Sequence, residues 1–152
     1  MSVEISCASL ETGFPNQRSL KLFKIISDNS IEINGKIIKF PCSILRDHQN
    51  QPMVLQHEDR VMVVFYPRDM EESKRLNDTR ICMDRNIGAF DLQGNFVWVV
   101  APPIITPYPR NPYTSLYLVE GKVRAANWCG YDFEIDTQNG TVQWAEDQGR
   151  PW

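Results

Sequence analysis

A chain of 152 residues that is 42% hydrophobic, with 16 Lys plus Arg against 19 Asp plus Glu, has the makeup of one soluble domain, 1–152. Roughly two thirds of the unfolded surface can be buried at this length, so neither a metal nor a disulfide is needed to hold the fold. A net charge of −3 gives no broad positive field for a phosphate backbone, and nucleic acid is not expected as a partner.

Residues 1–26 read as a possible N-terminal extension. Glu4, Glu11, Asn16 and Gln17 break every candidate signal sequence, and the longest apolar runs, Val61 to Tyr66 and Phe96 to Ala101, are far shorter than the roughly 20 residues of a membrane-spanning helix. The expected location is the cytoplasm, with no membrane contact. Arg18, Lys21 and Lys24 among Leu20, Leu22 and Phe23 fit a solvated edge strand whose charges discourage further pairing. Next, Ser30 to Ile33, Asn34-Gly35 and Lys36 to Phe40 form a hairpin pattern. Asn-Gly supplies the two positive-φ positions of a type I′ turn, and Pro41 stops the second strand.

Met53 to Gln56 is expected to pair with Val61 to Tyr66 across His57-Glu58-Asp59-Arg60. The run Val61 to Phe65 is apolar on both faces, the mark of a central strand covered on both sides. Residues 67–85 form a long charged loop carrying Asp69, Glu71 and Glu72, a candidate contact surface. A repeat follows. Asn86 to Trp98 aligns with Tyr131 to Trp144, each a strand, a turn with Asp and Gly, and a returning strand with Trp; Asp91 and Asp136 are 45 positions apart. Asp caps such a turn, Gly takes the positive φ, and Trp covers the hairpin face. Between the repeats lie the Pro-rich loop 101–113 and a hairpin from Ser115 to Ala126 turning at Glu120-Gly121. A polar tail, 146–152, ends in Trp152.

The repeated segments resemble the strand-turn-strand unit of β-propeller blades, although the chain has room for only about two and a half blades and a closed ring uses four or more. More specifically, Ile31 to Ile37, Asn86 to Trp98, Pro112 to Leu116 and Asn127-Trp128-Cys129-Gly130-Tyr131, leading to Ile135-Asp136 and Gly140, resemble a group of small, largely uncharacterised bacterial all-β proteins. This chain departs from them at Cys129, where the relatives usually carry Asp. The matched residues sit at hairpin positions, so the resemblance implies a fold and carries over no catalytic residue. Some such proteins lie beside polymorphic toxins, and the resemblance therefore implies an immunity protein.

Motifs for chemistry are sparse. Cys7, Cys42, Cys82 and Cys129 contain no C-x-x-C pair, and reduced thiols packed as small apolar groups are expected. His48 and His57 form no metal-binding motif, and no phosphate or dinucleotide loop is present. Cys42 with His48 would be the one candidate nucleophilic pair. Trp98, Trp128 and Trp144 fall at alternating apolar positions and are expected in the core or half-buried on a sheet.

The sequence thus predicts an all-β fold, a single antiparallel meander of about 8–10 strands, sandwich or barrel-like, resembling a fragment of a β-propeller. The expected function is a non-enzymatic, cofactor-free protein-binding module, specifically a bacterial immunity protein that occludes a cognate toxin. A monomer is expected rather than a homo-oligomer. Its partner-binding residues would be Asp69, Glu71, Glu72, Tyr108, Arg110, Tyr113 and Trp152. The alternative is a small-molecule or carbohydrate binder using exposed aromatic rings.

Overall fold

The computed structural model describes residues 21–66, 85–102 and 112–145. Among these are eleven strands and no helix: β1 (Phe23–Ser27), β2 (Ser30–Ile33), β3 (Lys36–Lys39), β4 (Val54–His57), β5 (Arg60–Val64), β6 (Ile87–Phe90), β7 (Phe96–Val99), β8 (Tyr113–Val119), β9 (Lys122–Asn127), β10 (Asp132–Ile135) and β11 (Val142–Trp144). Every strand pair is antiparallel. The all-β expectation holds, with one correction. The strands form three sheets rather than one meander: β1-β2-β3, β4-β5-β6-β7 and β8-β9-β10-β11, each in chain order.

The division into three follows from β5. Its residues alternate in direction with a period of two, and all five are buried. Val61 and Val63, with Phe65 just beyond the strand, enter one core with Ile31, Ile33, Phe40, Cys42, Ile44 and Phe90. Met62 and Val64 enter a second core with Ile87, Ala89, Trp98, Tyr113, Val123, Ala125, Phe133 and others. A strand apolar on both sides needs a cover on each, so the central sheet is sandwiched between the two outer ones. Edge-to-face ring pairs occur in both cores, Phe40 with Phe65 at 4.9 Å and Tyr113 with Phe133 at 6.2 Å between centroids.

Two-residue turns tighten the hairpins. Asn34 and Gly35 both take positive φ, as the type I′ turn requires, and so do Glu120 and Gly121. The strand bounds at the third hairpin differ slightly from expectation: His57 closes β4 and Arg60 opens β5, so the turn itself is Glu58-Asp59.

Buried polar groups lock the central sheet to the third. The Asn86 side chain donates to the Phe65 and Tyr113 carbonyls (3.0 and 2.9 Å) and accepts from the Tyr113 amide at 2.9 Å. At the other end of the stack, the Thr137 carbonyl accepts from Arg60 Nε at 2.9 Å and from Trp98 Nε1 at 2.8 Å. Gly140 lies so close to the Trp98 ring that an added Cβ would sit 2.6 Å from a ring carbon, at a backbone φ of +81°.

Met62→Ala is expected to lower unfolding stability by about 2–5 kcal/mol through a cavity in the second core alone. Gly140→Ala should lower the urea midpoint as well, because a left-handed φ and a ring collision act together. Unchanged midpoints would contradict this packing.

Candidate functional site

One local motif recurs along the chain. In Asp47–Gln51, the Asp47 carboxylate accepts from the Gln49 and Gln51 amides, both at 2.9 Å, while the Asn50 amide donates to the Asp47 carbonyl and Asp47 N–H to the Gln51 carbonyl. Asp91–Asn95 repeats each bond, with amides of Gln93 and Asn95 on the carboxylate at 2.9 and 2.8 Å. Asn127–Tyr131 does so a third time, its Oδ1 accepting from Cys129 and Tyr131 amides at 3.1 and 2.9 Å. The fourth residue takes positive φ in all three: Asn50, Gly94 and Gly130. Asp136–Thr141 is a longer variant, with the Gln138 amide on the carboxylate at 2.8 Å and Gly140 at positive φ. Asp91 and Asp136 are therefore turn caps, as the repeat suggested.

These turns and the hairpins sort the chain between two ends of the stack. One end carries the reversals Asn34-Gly35, Glu58-Asp59, the Asp91 turn, Glu120-Gly121 and the Asp136 turn, together with Leu22 at the start of β1, whose carbonyl accepts from the Asn34 amide. Arg60 and Trp98 join the central sheet to the Asp136 turn there, and Lys36 Nζ reaches Asn95 Oδ1 at 3.4 Å. The opposite end gathers the long connections. Ile44 bridges to Phe65 there, the Tyr66 amide donates to the Ser43 carbonyl, Arg85 Nε donates to the Val100 carbonyl at 2.9 Å, and Asn86 ties this edge to Tyr113. Tyr66 and Arg85 flank residues 67–84, Pro102 and Pro112 flank 103–111, and Ala145 precedes 146–152.

The nominated contact residues divide accordingly. Asp69, Glu71, Glu72, Tyr108, Arg110 and Trp152 lie outside the described residues. Tyr113 is a correction. It is 0% exposed, opens β8 and packs against Phe133, and its hydroxyl donates to the Ala101 carbonyl at 2.8 Å, so it supports the scaffold and offers no contact surface.

Trp128 is the second correction, in the opposite sense. Expected on a sheet, it stands 66% exposed in the Asn127 turn at the long-connection end. Its amide donates to the Pro112 carbonyl at 2.9 Å, tying the turn to the start of β8. Apolar alternation through Ala126 and Trp128 hid it; the signal that locates it is Asn-x-x-Gly, the same spacing as Asp91-x-x-Gly94. Asn replaces Asp at this position for a physical reason. Asn127 is 2% exposed, where a carboxylate would be a buried charge; the neutral amide avoids that larger cost at the lesser one of a buried Nδ2 without a hydrogen-bond partner.

The nucleophilic pairing gains no support from placement. Cys42 is buried in the first core, whereas His48 is exposed on the Asp47 turn. Neither Cys42 nor Cys129 is in a disulfide. Among the described residues, no group of three or more His, Cys, Asp or Glu is arranged to hold a metal ion, and no helix is long and apolar enough to cross a membrane. A shallow groove beside β10 and β11 is lined by Glu134, Asp136, Thr141 and Gln143 among others, away from the long connections.

The chain belongs to a family described as a domain of unknown function (DUF7957), whose pattern matches residues 24–146. No curated protein and no solved structure matches it.

The turn caps carry a pH signature. The Gln51 amide, followed by the Gln49 amide and the His48 charge, holds the Asp47 carboxyl below its ordinary 3.8 against the opposing effect of desolvation. At Asp91 desolvation pushes upward, but the Asn95 amide and side chain, the Gln93 amide and the Arg60 charge outweigh it, and the result is again a lowered value. A carboxyl whose folded pKa is depressed stabilises the fold above its unfolded pKa and loses that contribution as pH falls through the folded value. Thermal melts should thus show stability falling below about pH 4, and Asp47→Asn with Asp91→Asn should flatten that acid limb. An equally steep limb in the double variant would refute the assignment.

Proposed function

We propose that this chain is a non-enzymatic protein-binding module that acts in the bacterial cytoplasm as an immunity protein, neutralising a cognate toxin by occluding it. One observation supports the reading above others: the two connections that carry the nominated internal residues, 67–84 and 103–111, leave a doubly cored stack from the same end. A rigid scaffold with long connections at one end is a common way to build a recognition surface, because loop sequence can vary there without disturbing the core. The acidic residues Asp69, Glu71 and Glu72, the aromatic and basic Tyr108 and Arg110, and the terminal Trp152 all belong to segments joined to that end. Acidic side chains would complement the basic surface of a toxin acting on nucleic acid or phosphate and would speed encounter. The resemblance to small bacterial all-β proteins, some of which lie beside polymorphic toxins, supports the same reading.

The test is co-expression. A toxin domain encoded beside this gene should arrest cells when produced alone, and growth should return when this chain is produced with it, the two purifying as a stoichiometric complex. Arrest that persists in the presence of the folded chain, with no complex formed, would overturn the proposal.

A further inference from the structure

Asn-Gly occurs twice in the chain, at Asn34-Gly35 and Asn139-Gly140. In such a pair the backbone nitrogen of the glycine can attack the side-chain carbonyl carbon of the asparagine, since glycine has no side chain to obstruct the approach. The N–Cγ bond forms, ammonia leaves, and water, the only co-reactant, opens the resulting succinimide to aspartate or isoaspartate. The nitrogen must first lose its proton to solvent and swing toward Cγ, so the bonding and packing of the glycine decide the outcome. Gly140 is buried, its N–H donates to the Asp136 carbonyl at 2.7 Å, its carbonyl accepts from the Ala101 amide at 2.9 Å, and the Trp98 ring fills the place a Cβ would take. An amide held by a carbonyl is harder to deprotonate and cannot turn without breaking that bond. The Thr141 amide and hydroxyl donate to Asn139 Oδ1 at 3.0 and 2.8 Å and polarise its carbonyl, which favours attack, but the attacking nitrogen is committed elsewhere.

The first pair is placed differently. Asn34 and Gly35 are both exposed, and a Cβ added at Gly35 would meet nothing within 4 Å. Their φ values of 49° and 91° are those of the central pair of a type I′ turn. Flipping the one peptide plane between them gives a type II′ turn, in which ψ of the first residue is about −120° and the φ of the second turns negative, as glycine allows. That ψ swings the Gly35 nitrogen to the side of the chain that carries the Asn34 side chain. The flip moves the Asn34 carbonyl and the Gly35 amide alone; the flanking Ile33–Lys36 pair and the bond from the Asn34 amide to the Leu22 carbonyl at 2.8 Å stay in place. We infer that Asn34-Gly35 is a site of spontaneous deamidation and isoaspartate formation in the folded protein, and that the fold shields Asn139-Gly140 from the same reaction. Isoaspartate puts an extra carbon into the main chain at the turn, which loosens the hairpin that delivers Ile31 and Ile33 to the first core.

The test incubates the full chain at mildly alkaline pH, folded and, in parallel, unfolded in guanidinium chloride. Peptide mass spectrometry follows the amide-to-acid change at each site, and methyl transfer by an isoaspartate-specific methyltransferase counts the rearranged product. In denaturant the two sites should convert at comparable rates, since the reacting pair is the same. In the folded chain Asn34 should convert about ten-fold or more faster than Asn139, because an opening at Gly140 breaks its bond to Asp136 and displaces it from the Trp98 ring. Asn34→Gln, whose longer side chain cyclises far more slowly, should remove most of the methyl acceptance of the folded chain. Folded-state conversion at equal rates, with Asn139 ahead, or at neither site would overturn the inference, as would methyl acceptance that persists undiminished in Asn34→Gln.

Discussion

The double-sided burial of β5 is the constraint on which the rest of the structure depends. Val61, Val63 and Phe65 point one way and Met62 and Val64 the other, and all are fully buried. A strand of this kind is stable only inside a sheet covered on both faces. The chain meets that demand by placing β1–β3 on one side and β8–β11 on the other, each a short meander that needs no long crossover. Because the same strand contributes to both cores, the two are expected to open as one cooperative unit.

That arrangement also determines where variation is tolerated. Antiparallel strands in chain order return alternately to the two ends. The end bearing the Asp91 and Asp136 turns is knitted together by Arg60, Trp98 and the close approach of Gly140, so it has little room for insertion. The other end is braced at the strand termini, by Asn86, by the Ile44–Phe65 bridge, by the bonds from Tyr66 to Ser43 and from Arg85 to Val100, and by the bond from Trp128 to Pro112. Segments 67–84 and 103–111 depart from those braced points. Rigid support beneath long connections is what the proposed recognition role needs.

Much of the scaffold was legible because its determinants are local. Asn34-Gly35 and Glu120-Gly121 mark two hairpins through the φ they allow, Val61 to Phe65 declares a central strand by lacking any polar face, and the Asp91 and Asp136 repeats declare their turns. What the sequence concealed is non-local. Tyr113 looked like part of a Pro-rich surface loop; its burial depends on Asn86, 27 positions earlier. Trp128 looked like the next apolar residue of β9, because alternation and the Asn-x-x-Gly turn signal overlap there and the turn prevails. The three-sheet division was likewise out of reach, since local pattern identifies strands and hairpins and leaves the faces between sheets unassigned.

Native-state hydrogen exchange tests the shared-core account most directly. If β5 joins both cores into one cooperative unit, the slowest amides of β2, β5, β6 and β9 open with a single common free energy equal to that of global unfolding, and denaturant lowers them together. Exchange of β8–β11 amides through a smaller opening that leaves β4–β7 protected would show that the third sheet is a separate unit, and would contradict the claim that one doubly buried strand holds the stack rigid beneath its long connections.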